Sequence, residues 1–293
     1  MTKFHLFESE LINSQSWFAT RDTAAFALIN SIKETEHLSG SFQLIEPCTN
    51  LVCAFKNVIL KIYAPSVCGY QTEADFNREL FALQNLVNTD IQVPRILSSG
   101  CVHDRYDFYY LVLTRIDIPP ATSFIKTCTK RELRKFGEVL LEKISGFASI
   151  KADPELSKNR VSDSPMRYER QLKLEALAWS YNPSFVHGDL SGDNVLYDGK
   201  RLAIIDFEDW AYTSTTAEYP STIFELLRGD PESIEAFFSK PLTLDFIDEL
   251  YHGILYHYNW DYYLEQYCRK GSRSTFSLSS TEMHFRSNML VQG

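Results

Sequence analysis

Features that mark several classes of protein are missing from this sequence. No apolar run approaches the roughly 20 residues that a transmembrane helix requires. Acidic residues stand near the amino terminus, where a signal peptide would have its apolar core. The six cysteines form no C-x-x-C pair and show no zinc-ligand grouping, and no internal repeat is evident. We therefore expect a cytoplasmic protein with reduced thiols.

Positive charge is also scarce. The chain has 29 Lys and Arg residues against 38 Asp and Glu residues, which gives a formal net charge of −9. This balance argues against nucleic acid or an anionic membrane as the main partner, and it mildly favours a cationic small molecule. At 293 residues, with 44% hydrophobic and 14% aromatic side chains, the chain is long and apolar enough to form one or two packed domains.

The stretch from residue 185 to residue 210 carries the densest set of chemically active side chains. Two apolar runs, Asn194 to Tyr197 and Leu202 to Ile205, predict short strands joined by a turn at Asp198-Gly199-Lys200. Four polar residues lie at the mouth of this hairpin: His187, Asp189, Asn194 and Asp206. Phosphoryl transfer needs this combination, with a carboxylate near the nucleophilic hydroxyl and an amide plus a second carboxylate on Mg²⁺.

The same stretch resembles the aminoglycoside phosphotransferase family, the small-molecule branch of the protein-kinase-like proteins. It reads H-G-D, then four residues and Asn194, then an apolar residue with Asp206 and Phe207 twelve residues on. Protein kinases carry H-R-D-x-x-x-x-N and D-F-G instead, so Gly188 and Glu208 indicate the small-molecule branch. The resemblance implies a bilobal α+β fold, with a small antiparallel-sheet N-terminal lobe that has one key helix and a larger, mostly helical C-terminal lobe. It also implies ATP or GTP and Mg²⁺ as cofactors.

A lysine and a glutamate upstream extend the resemblance. Residues 42–46, 51–55 and 58–63 predict three strands, and the third carries Lys61 among apolar neighbours, where a charge is costly to bury without a partner. The next predicted helix, residues 73–87, offers Glu79 beside its apolar stripe, with Glu73 as an alternative partner at the helix start. By resemblance, a Lys61–Glu79 pair would bind the α- and β-phosphates.

The loop between the first two of these strands reads E-P-C-T-N and contains no glycine. Kinase-like proteins usually place glycine or small polar residues there, so that backbone N–H groups approach phosphate closely. In this chain Thr49 and Asn50 are the candidate donors. A strongly β-forming run over residues 108–116 predicts the last strand of the sheet. By resemblance, backbone groups at its end, Thr114-Arg115-Ile116, would hold the nucleotide base.

We accordingly expect a nucleotide-binding lobe over residues 1–115, with its leading helices, and a helical lobe over residues 116–293 that carries the catalytic loop and the acceptor site. Helical spacing predicts four helical segments besides residues 73–87: residues 4–34 with a break at 19–22, 131–148, 168–179 and 244–269. Thr243 is the expected cap of the last helix and Lys270-Gly271 its end. Asp230-Pro231 marks a further helix start.

Two expectations concern side chains after the hairpin. After the hairpin, the resembled family usually has an Asp followed by Leu and Ala. This Asp begins a helix and braces the catalytic loop, and Glu218 is its candidate substitute in this chain. Asp261 and Glu265 lie on the last predicted helix, where a cationic substrate could be gripped.

Asp189 and His187 are the candidate catalytic residues. Asp189 would accept the proton of the acceptor hydroxyl or orient that hydroxyl, and His187 would brace the loop by hydrogen bonding. Asn194 and Asp206 would hold Mg²⁺, and Lys61 would neutralise phosphate charge.

Three functions remain open. The first is an ATP- and Mg²⁺-dependent phosphotransferase that acts on a hydroxyl of a small, cationic molecule. The second is a pseudokinase that binds nucleotide or ligand in a regulatory role, which the glycine-free loop favours. The third is a metal-dependent phosphoesterase, which lacks further His or Asp ligands near the site. Relatives of this fold handle aminoglycosides, other antibiotics, choline-like amines, homoserine-like metabolites and glycated amines, so the acceptor stays open.

Overall fold

The computed structural model describes residues 5–45, 49–151, 153–158, 164, 166–177, 183–267 and 278–291. The chain forms two compact units. The first comprises Met1–Asn88 and Val93–Asp117, and the second comprises Thr89–Gln92 and Ile118–Gly293. Among the residues described, no helix combines the length and the apolar character that crossing a membrane requires.

A five-stranded antiparallel sheet forms the centre of the first unit. Its strands are β1 (Gln43–Ile45), β2 (Leu51–Ala54), β3 (Val58–Ile62), β4 (Ile96–His103) and β5 (Asp107–Thr114). Their order in the sheet is β1-β2-β3-β5-β4. The three early strands and the strand at residues 108–116 are confirmed. The sequence pattern does not predict β4, because serines and a glycine interrupt its apolar residues and it lies at the sheet edge, where little apolar burial is needed.

Three helices belong to the first unit: α1 (Ser14–Ala24), α2 (Phe26–Thr35) and α3 (Thr72–Leu86). The helix prediction over residues 4–34 was wrong at its start, because residues 5–13 are not helical, and about the break, which falls at Ala25 instead of residues 19–22. The start of α1 is capped by the Asn13 side chain. Arg21 stays helical, and its buried guanidinium donates to the carbonyl oxygens of Thr49 and Asn50. These contacts join α1 to the start of β2.

The second unit is mostly helical. Its helices are α4 (Ala121–Ile125), α5 (Lys130–Ser145), α6 (Arg167–Ala176), α7 (Tyr219–Ser221), α8 (Pro231–Phe238), α9 (Leu244–Tyr256), α10 (Trp260–Tyr267) and α11 (Leu278–Val291). Its short strands are β6 (Pro183–Val186), β7 (Val195–Tyr197), β8 (Leu202–Ile204) and β9 (Ala211–Ser214). β6 pairs with β9, and β7 pairs with β8. The expected α+β class is therefore confirmed.

The helix predicted over residues 244–269 is in fact two helices. Thr243 caps α9 as expected, but the backbone becomes extended at His257, with ψ 141°, and α10 begins at Trp260. The apolar spacing continues through this break, so periodicity alone overlooks it. The predicted helix end at residues 269–271 lies outside the described residues, as does the end of the helix predicted over 168–179. Asp230 caps α8 as expected.

Candidate active site

The predicted hairpin of β7 and β8 is confirmed, and it brings two candidate metal ligands to the same end. The strands pair antiparallel, and the Ile205 N–H donates to the Asn194 carbonyl at 3.0 Å, which continues the ladder toward the open end. Asn194 directly precedes β7, and Asp206 lies two residues after β8. Asp206 has φ 66°, a left-handed conformation that non-glycine residues adopt rarely and mainly where surrounding structure imposes it.

Asp189 is bonded directly to Asn194. The Asn194 side-chain amide donates to Asp189 Oδ2 at 2.8 Å and to the Asp189 main-chain carbonyl at 3.1 Å. The Asn194 amide nitrogen therefore serves as the donor to Asp189, and the Asn194 Oδ1 atom is not used in these bonds.

Asp189 also lies in a strongly acidic environment. Burial raises the pKa of this carboxyl well above its ordinary value, and the negative charges of Asp209, Glu225, Asp206 and Glu208 raise it further. A positive charge brought to this place, whether a metal ion or a substrate cation, therefore favours ionised Asp189.

His187 is fully buried and positions the segment before Asp189. The Asp189 N–H donates to His187 Nδ1 at 3.1 Å, so the ring proton lies on Nε2, which donates to the Ile205 carbonyl at 2.9 Å. The ring also lies edge-on to Phe207, with centroids 4.5 Å apart. Because each ring nitrogen bonds to main chain, His187 ties Asp189 to the end of β8.

Glu218 holds the other side of the same loop. Its carboxylate accepts the N–H groups of His187 and Gly188, the latter at 3.1 Å. Burial raises the pKa of Glu218 to about 7, while these two hydrogen bonds lower it. Ser221 Oγ accepts the Leu190 N–H at 2.9 Å. Four consecutive loop N–H groups, at residues 187–190, thus have side-chain acceptors, which fixes the backbone that carries Asp189.

Only glycine fits at position 188 in this backbone conformation. Its φ is 82°, and a Cβ there would lie 2.4 Å from the Asp209 carbonyl oxygen. The Gly188 carbonyl accepts a hydrogen bond from His257 Nε2 at 2.7 Å, and His257 Nδ1 accepts the Asn259 N–H at 2.9 Å. Burial lowers the pKa of His257 to about 4. The ring is therefore neutral at physiological pH, with its proton on Nε2.

Lys61 and Glu79 form a buried ion pair in the first unit. Lys61 Nζ lies 2.5 Å from Glu79 Oε2, and the two residues are only 5% and 1% exposed. The Tyr63 hydroxyl donates to the same Glu79 oxygen at 2.5 Å. The structure therefore selects Glu79, and not the alternative Glu73, as the partner of Lys61.

The two candidate phosphate-loop residues bond to neighbouring protein groups. The Thr49 carbonyl accepts Trp17 Nε1 at 2.8 Å and the Arg21 guanidinium at 3.0 Å, while the Thr49 side chain is exposed. Asn50 is buried, and its Oδ1 accepts the Ala64 N–H at 3.0 Å. Residues 46–48 of this loop lie outside the described residues.

The candidate base-binding segment begins at Thr114, the last residue of β5. The Thr114 N–H donates to the Arg95 carbonyl, and the Arg95 N–H donates to Thr114 Oγ1, both at 2.9 Å. The Arg115 N–H donates to the Asn57 carbonyl at 2.9 Å. Ile116 is half-buried. The main-chain N–H groups of Thr114 and Arg115 are thus committed within the first unit.

Comparison with known proteins identifies the family. The model of the phosphotransferase enzyme family matches residues 50–237, which include the Lys61–Glu79 pair, the hairpin and Glu218. The chain belongs to the phosphotransferase enzyme family. The expected family and enzyme class are confirmed. No curated protein matches the sequence.

Solved structures share the fold of this phosphotransferase at low sequence identity. The GDP and kanamycin complex of APH(2")-IIia is 16% identical with a TM-score of 0.57, covering 89% of this chain and 98% of that chain. Amicoumacin kinase hAmiN in complex with AMP-PNP, Ca²⁺ and Ami is 14% identical with a TM-score of 0.56, covering 89% and 92%. Choline kinase LicA from Streptococcus pneumoniae is 15% identical with a TM-score of 0.51, covering 89% and 98%. The kinase-like α+β fold is confirmed.

Acidic and aromatic side chains of the phosphotransferase surround Asp189 within the second unit. Glu225 lies in a π-helical turn, Thr222–Leu226, and accepts the Tyr263 hydroxyl of α10 at 2.9 Å. The Tyr258 hydroxyl donates to Asp209. Glu225 and Asp209 are the two carboxylates whose charges raise the Asp189 pKa most. This part of the unit therefore combines negative charge with aromatic surface.

Sequence reasoning misses Glu225, Asp209 and His257. Glu218 was named as a candidate, since the resembled family places a bracing carboxylate after the hairpin, although its spacing differs. Glu225 and Asp209 had only their charge as a signal. His257 had none, because a histidine within an apolar helical run is typical of packing.

Proposed function

We propose that this phosphotransferase transfers the γ-phosphate of ATP, or of GTP, to a hydroxyl group of a small cationic molecule. The observation that carries this proposal is the Asp189–Asn194 pair at the open end of the hairpin, within a cluster of carboxylates. The pair supplies a group that orients a hydroxyl, and the carboxylates supply the charge that attracts a cation.

Asp189 is the proposed catalytic residue. Asn194 holds Asp189 Oδ2, and the other carboxylate oxygen accepts the hydrogen bond of the acceptor hydroxyl. As the hydroxyl oxygen bonds to the γ-phosphorus and the bond to the leaving nucleoside diphosphate breaks, the hydroxyl proton passes to Asp189. Positioning is its larger contribution, because a fixed hydroxyl reacts as if intramolecularly. His187 and Glu218 hold the loop in place for this step.

The donor set of Asn194 and Asp206 fits a divalent cation. Amide and carboxylate oxygens are the hard ligands that Mg²⁺ prefers, and Asn194 Oδ1 remains oriented away from its bond to Asp189. When bound, Mg²⁺ would neutralise charge on the β- and γ-phosphates. The Ca²⁺ found with hAmiN supports a divalent cation in this family.

Nucleotide binding falls to the first unit in this proposal. Lys61, held by Glu79, would bind the α- and β-phosphates. The exposed Thr49 hydroxyl is a candidate phosphate donor, whereas Asn50 already accepts a main-chain hydrogen bond. Thr114, Arg115 and Ile116 would hold the base, chiefly through carbonyl groups and the Ile116 main chain. The GDP of APH(2")-IIia and the AMP-PNP of hAmiN support a nucleotide but leave open which base is used.

A cationic acceptor follows from the groups around Asp189. The negative charges of Asp209 and Glu225 raise the Asp189 pKa most among its neighbouring carboxylates. Their tyrosine partners, Tyr258 and Tyr263, add aromatic surface that suits an ammonium group. Kanamycin in the complex of APH(2")-IIia and the choline kinase activity named for LicA point to the same chemistry.

The test measures nucleoside diphosphate release with ATP and with GTP across a panel of hydroxylated amines and matched neutral alcohols. Wild type should turn over at least one amine, and Asp189→Ala should abolish that turnover. Asp193→Asn is the matched control, because Asp193 is an exposed carboxylate in the same loop. Equal nucleotide consumption by wild type and Asp189→Ala with every acceptor would overturn the proposal.

A further inference from the structure

A thiol, an imidazole and a carboxylate converge on one hairpin of the first unit. Cys101 Sγ lies 3.8 Å from His103 Nδ1, and His103 Nδ1 lies 2.7 Å from Asp107 Oδ1. All three ligand atoms lie within 4.8 Å of one another. None of the three residues belongs to the candidate active site, and the proposed phosphoryl transfer does not use them.

The sheet register explains why these side chains meet. Cys101 and His103 are two residues apart on β4, so they project from the same face. Across the β4–β5 pairing, His103 lies opposite Asp107 and Cys101 lies opposite Tyr109. The hairpin therefore holds all three side chains on one face through main-chain hydrogen bonds, independently of any ion.

A second carboxylate lies beside this group. The Tyr109 hydroxyl donates to Glu73, in the first turn of α3. Partial burial raises the pKa of the Cys101 thiol, and the negative charges of Asp107 and Glu73 raise it further. A bound cation would relieve the repulsion that these charges create.

We propose that Cys101, His103 and Asp107 form a binding site for a transition-metal ion of the Zn²⁺ class. A tetrahedral Zn²⁺, with bonds of about 2.3 Å to sulfur and about 2.0 Å to nitrogen, separates those two ligand atoms by about 3.5 Å. The observed separation of 3.8 Å is close to that value, whereas the 2.7 Å contact between His103 and Asp107 is a hydrogen bond that must lengthen when both atoms bind the metal. Thiolate and imidazole ligands select Zn²⁺ over Mg²⁺, so the site is distinct in chemistry from the proposed Mg²⁺ ligands. Glu73 or water would complete the coordination.

The spacing of these ligands hides the site from sequence inspection. One cysteine and one histidine lie on β4, and the carboxylate comes from the partner strand, so no C-x-x-C or similar pattern exists. The site becomes visible only when β4 and its register are known.

The test uses tag-free protein stripped of metal by a chelator and then titrated with Co²⁺ and Zn²⁺. Wild type should take up one Co²⁺ with a sulfur-to-cobalt charge-transfer band and tetrahedral visible absorption, and Zn²⁺ should displace it. The Cys101→Ser variant should lose the charge-transfer band. His103→Gln and Asp107→Asn should weaken Zn²⁺ binding at least about 10-fold in competition with a chromophoric chelator.

Cys128→Ser is the matched control, because Cys128 is another partly exposed free thiol, located in the second unit. It should retain the full band and affinity. The proposal is overturned if wild type shows no charge-transfer band at one equivalent of Co²⁺, if Cys101→Ser keeps the band, or if His103→Gln and Asp107→Asn bind Zn²⁺ as wild type does. Each of these readouts is independent of phosphotransferase activity.

Discussion

His257 Nε2 lies 2.7 Å from the Gly188 carbonyl oxygen, so a residue just after α9 fixes the peptide group that leads into Asp189. On the other side, the Gly188 N–H donates to Glu218 at 3.1 Å. Two buried titratable side chains thus hold the main chain on both sides of one glycine. A change in either side chain is transmitted to the position of the Asp189 carboxylate.

Removing the hydrogen bond from His257 should lower both stability and turnover. His257→Leu leaves the buried Gly188 carbonyl without this donor, which costs about 1–3 kcal/mol. His257→Gln retains an N–H donor, so it should keep more stability and a higher kcat than His257→Leu. Urea unfolding and steady-state kinetics measure the two effects. His252→Gln, within α9, is the control, and a kcat for His257→Leu equal to that of wild type would contradict the positioning role.

The same residue should make the protein sensitive to acid. Burial lowers the pKa of His257 from 6.5 to about 4, so the unfolded chain takes up this proton at higher pH than the folded protein. The contribution of neutral His257 to stability is complete above pH 6.5 and is lost as pH falls toward 4, by about 3 kcal/mol in total. Urea unfolding across this range should show a shallower acid loss for His257→Gln than for wild type. Parallel curves would refute the assignment.

Glu218 should produce the opposite dependence. Burial raises its pKa from 4.5 to about 7, so the folded protein keeps this proton to higher pH than the unfolded chain does. Stability therefore falls as pH rises from 4.5 to about 7, by about 3 kcal/mol. Glu218→Gln does not titrate at this position. As pH rises over the same range, the free energy of unfolding of Glu218→Gln should therefore increase relative to that of wild type by this amount. The measurement is urea unfolding of both proteins at a series of pH values.

The two titrations overlap and oppose each other, so wild type alone does not separate them. Glu249→Gln is the matched control for Glu218, since Glu249 also accepts a hydrogen bond from a side chain in the second unit but is partly exposed. Its stability difference from wild type should not follow the Glu218 profile. A pH-independent difference for Glu218→Gln would contradict the raised pKa.

The buried ion pair of the first unit should be strongly coupled. Lys61→Met leaves the Glu79 carboxylate buried with the Tyr63 hydroxyl, and breaking such a pair costs about 3–5 kcal/mol. The double variant Lys61→Met, Glu79→Gln removes both charges and should recover much of that loss. Urea unfolding of the singles and the double gives the coupling. Lys130→Met is the control: it removes an exposed ion pair with Glu232 and should leave stability near that of wild type. If the effects of the two single variants at Lys61 and Glu79 add up to that of the double variant, the coupling is refuted.

The hairpin and the Lys61–Glu79 pair could be predicted because their signals are local. A turn between two apolar runs specifies β7 and β8, and the spacing of α3 places Glu79 beside an apolar stripe. Among the supports of the catalytic loop, His187 and Glu218 were named as candidates, Glu218 from the resemblance alone, whereas His257 was not predicted. Glu218 and His257 meet Gly188 from 30 and 69 positions away, and no strand or helix periodicity reports such contacts.

The misplaced helix boundaries have a related cause. Arg21 remains helical because its guanidinium bonds to the main chain of Thr49 and Asn50, and the chain leaves the helix at His257 where its ring bonds to Gly188. In both cases a tertiary hydrogen bond accompanies the observed helix boundary, and the apolar periodicity of the sequence does not report such a bond.

Glu225 offers the most direct test of the cationic acceptor. Its carboxylate accepts the Tyr263 hydroxyl at 2.9 Å and contributes to the negative field at Asp189. Glu225→Gln keeps the shape and an acceptor for that hydroxyl but removes the charge. For an amine substrate of the wild type we expect KM to rise about 10-fold or more, as the loss of a charged contact of about 1.5–3 kcal/mol implies, with a smaller change in kcat.

Two comparisons make the result specific to charge. A neutral alcohol of matched shape, where it is turned over, should show the same KM with wild type and Glu225→Gln. Glu249→Gln is the control variant, because Glu249 also accepts a tyrosine hydroxyl, from Tyr219 at 3.1 Å, but is not one of the carboxylates whose charges mainly raise the Asp189 pKa. If KM for the amine is equal in wild type and Glu225→Gln, the cationic group of the acceptor binds elsewhere. The phosphotransfer assignment is tested separately, because it holds as long as Asp189→Ala abolishes turnover.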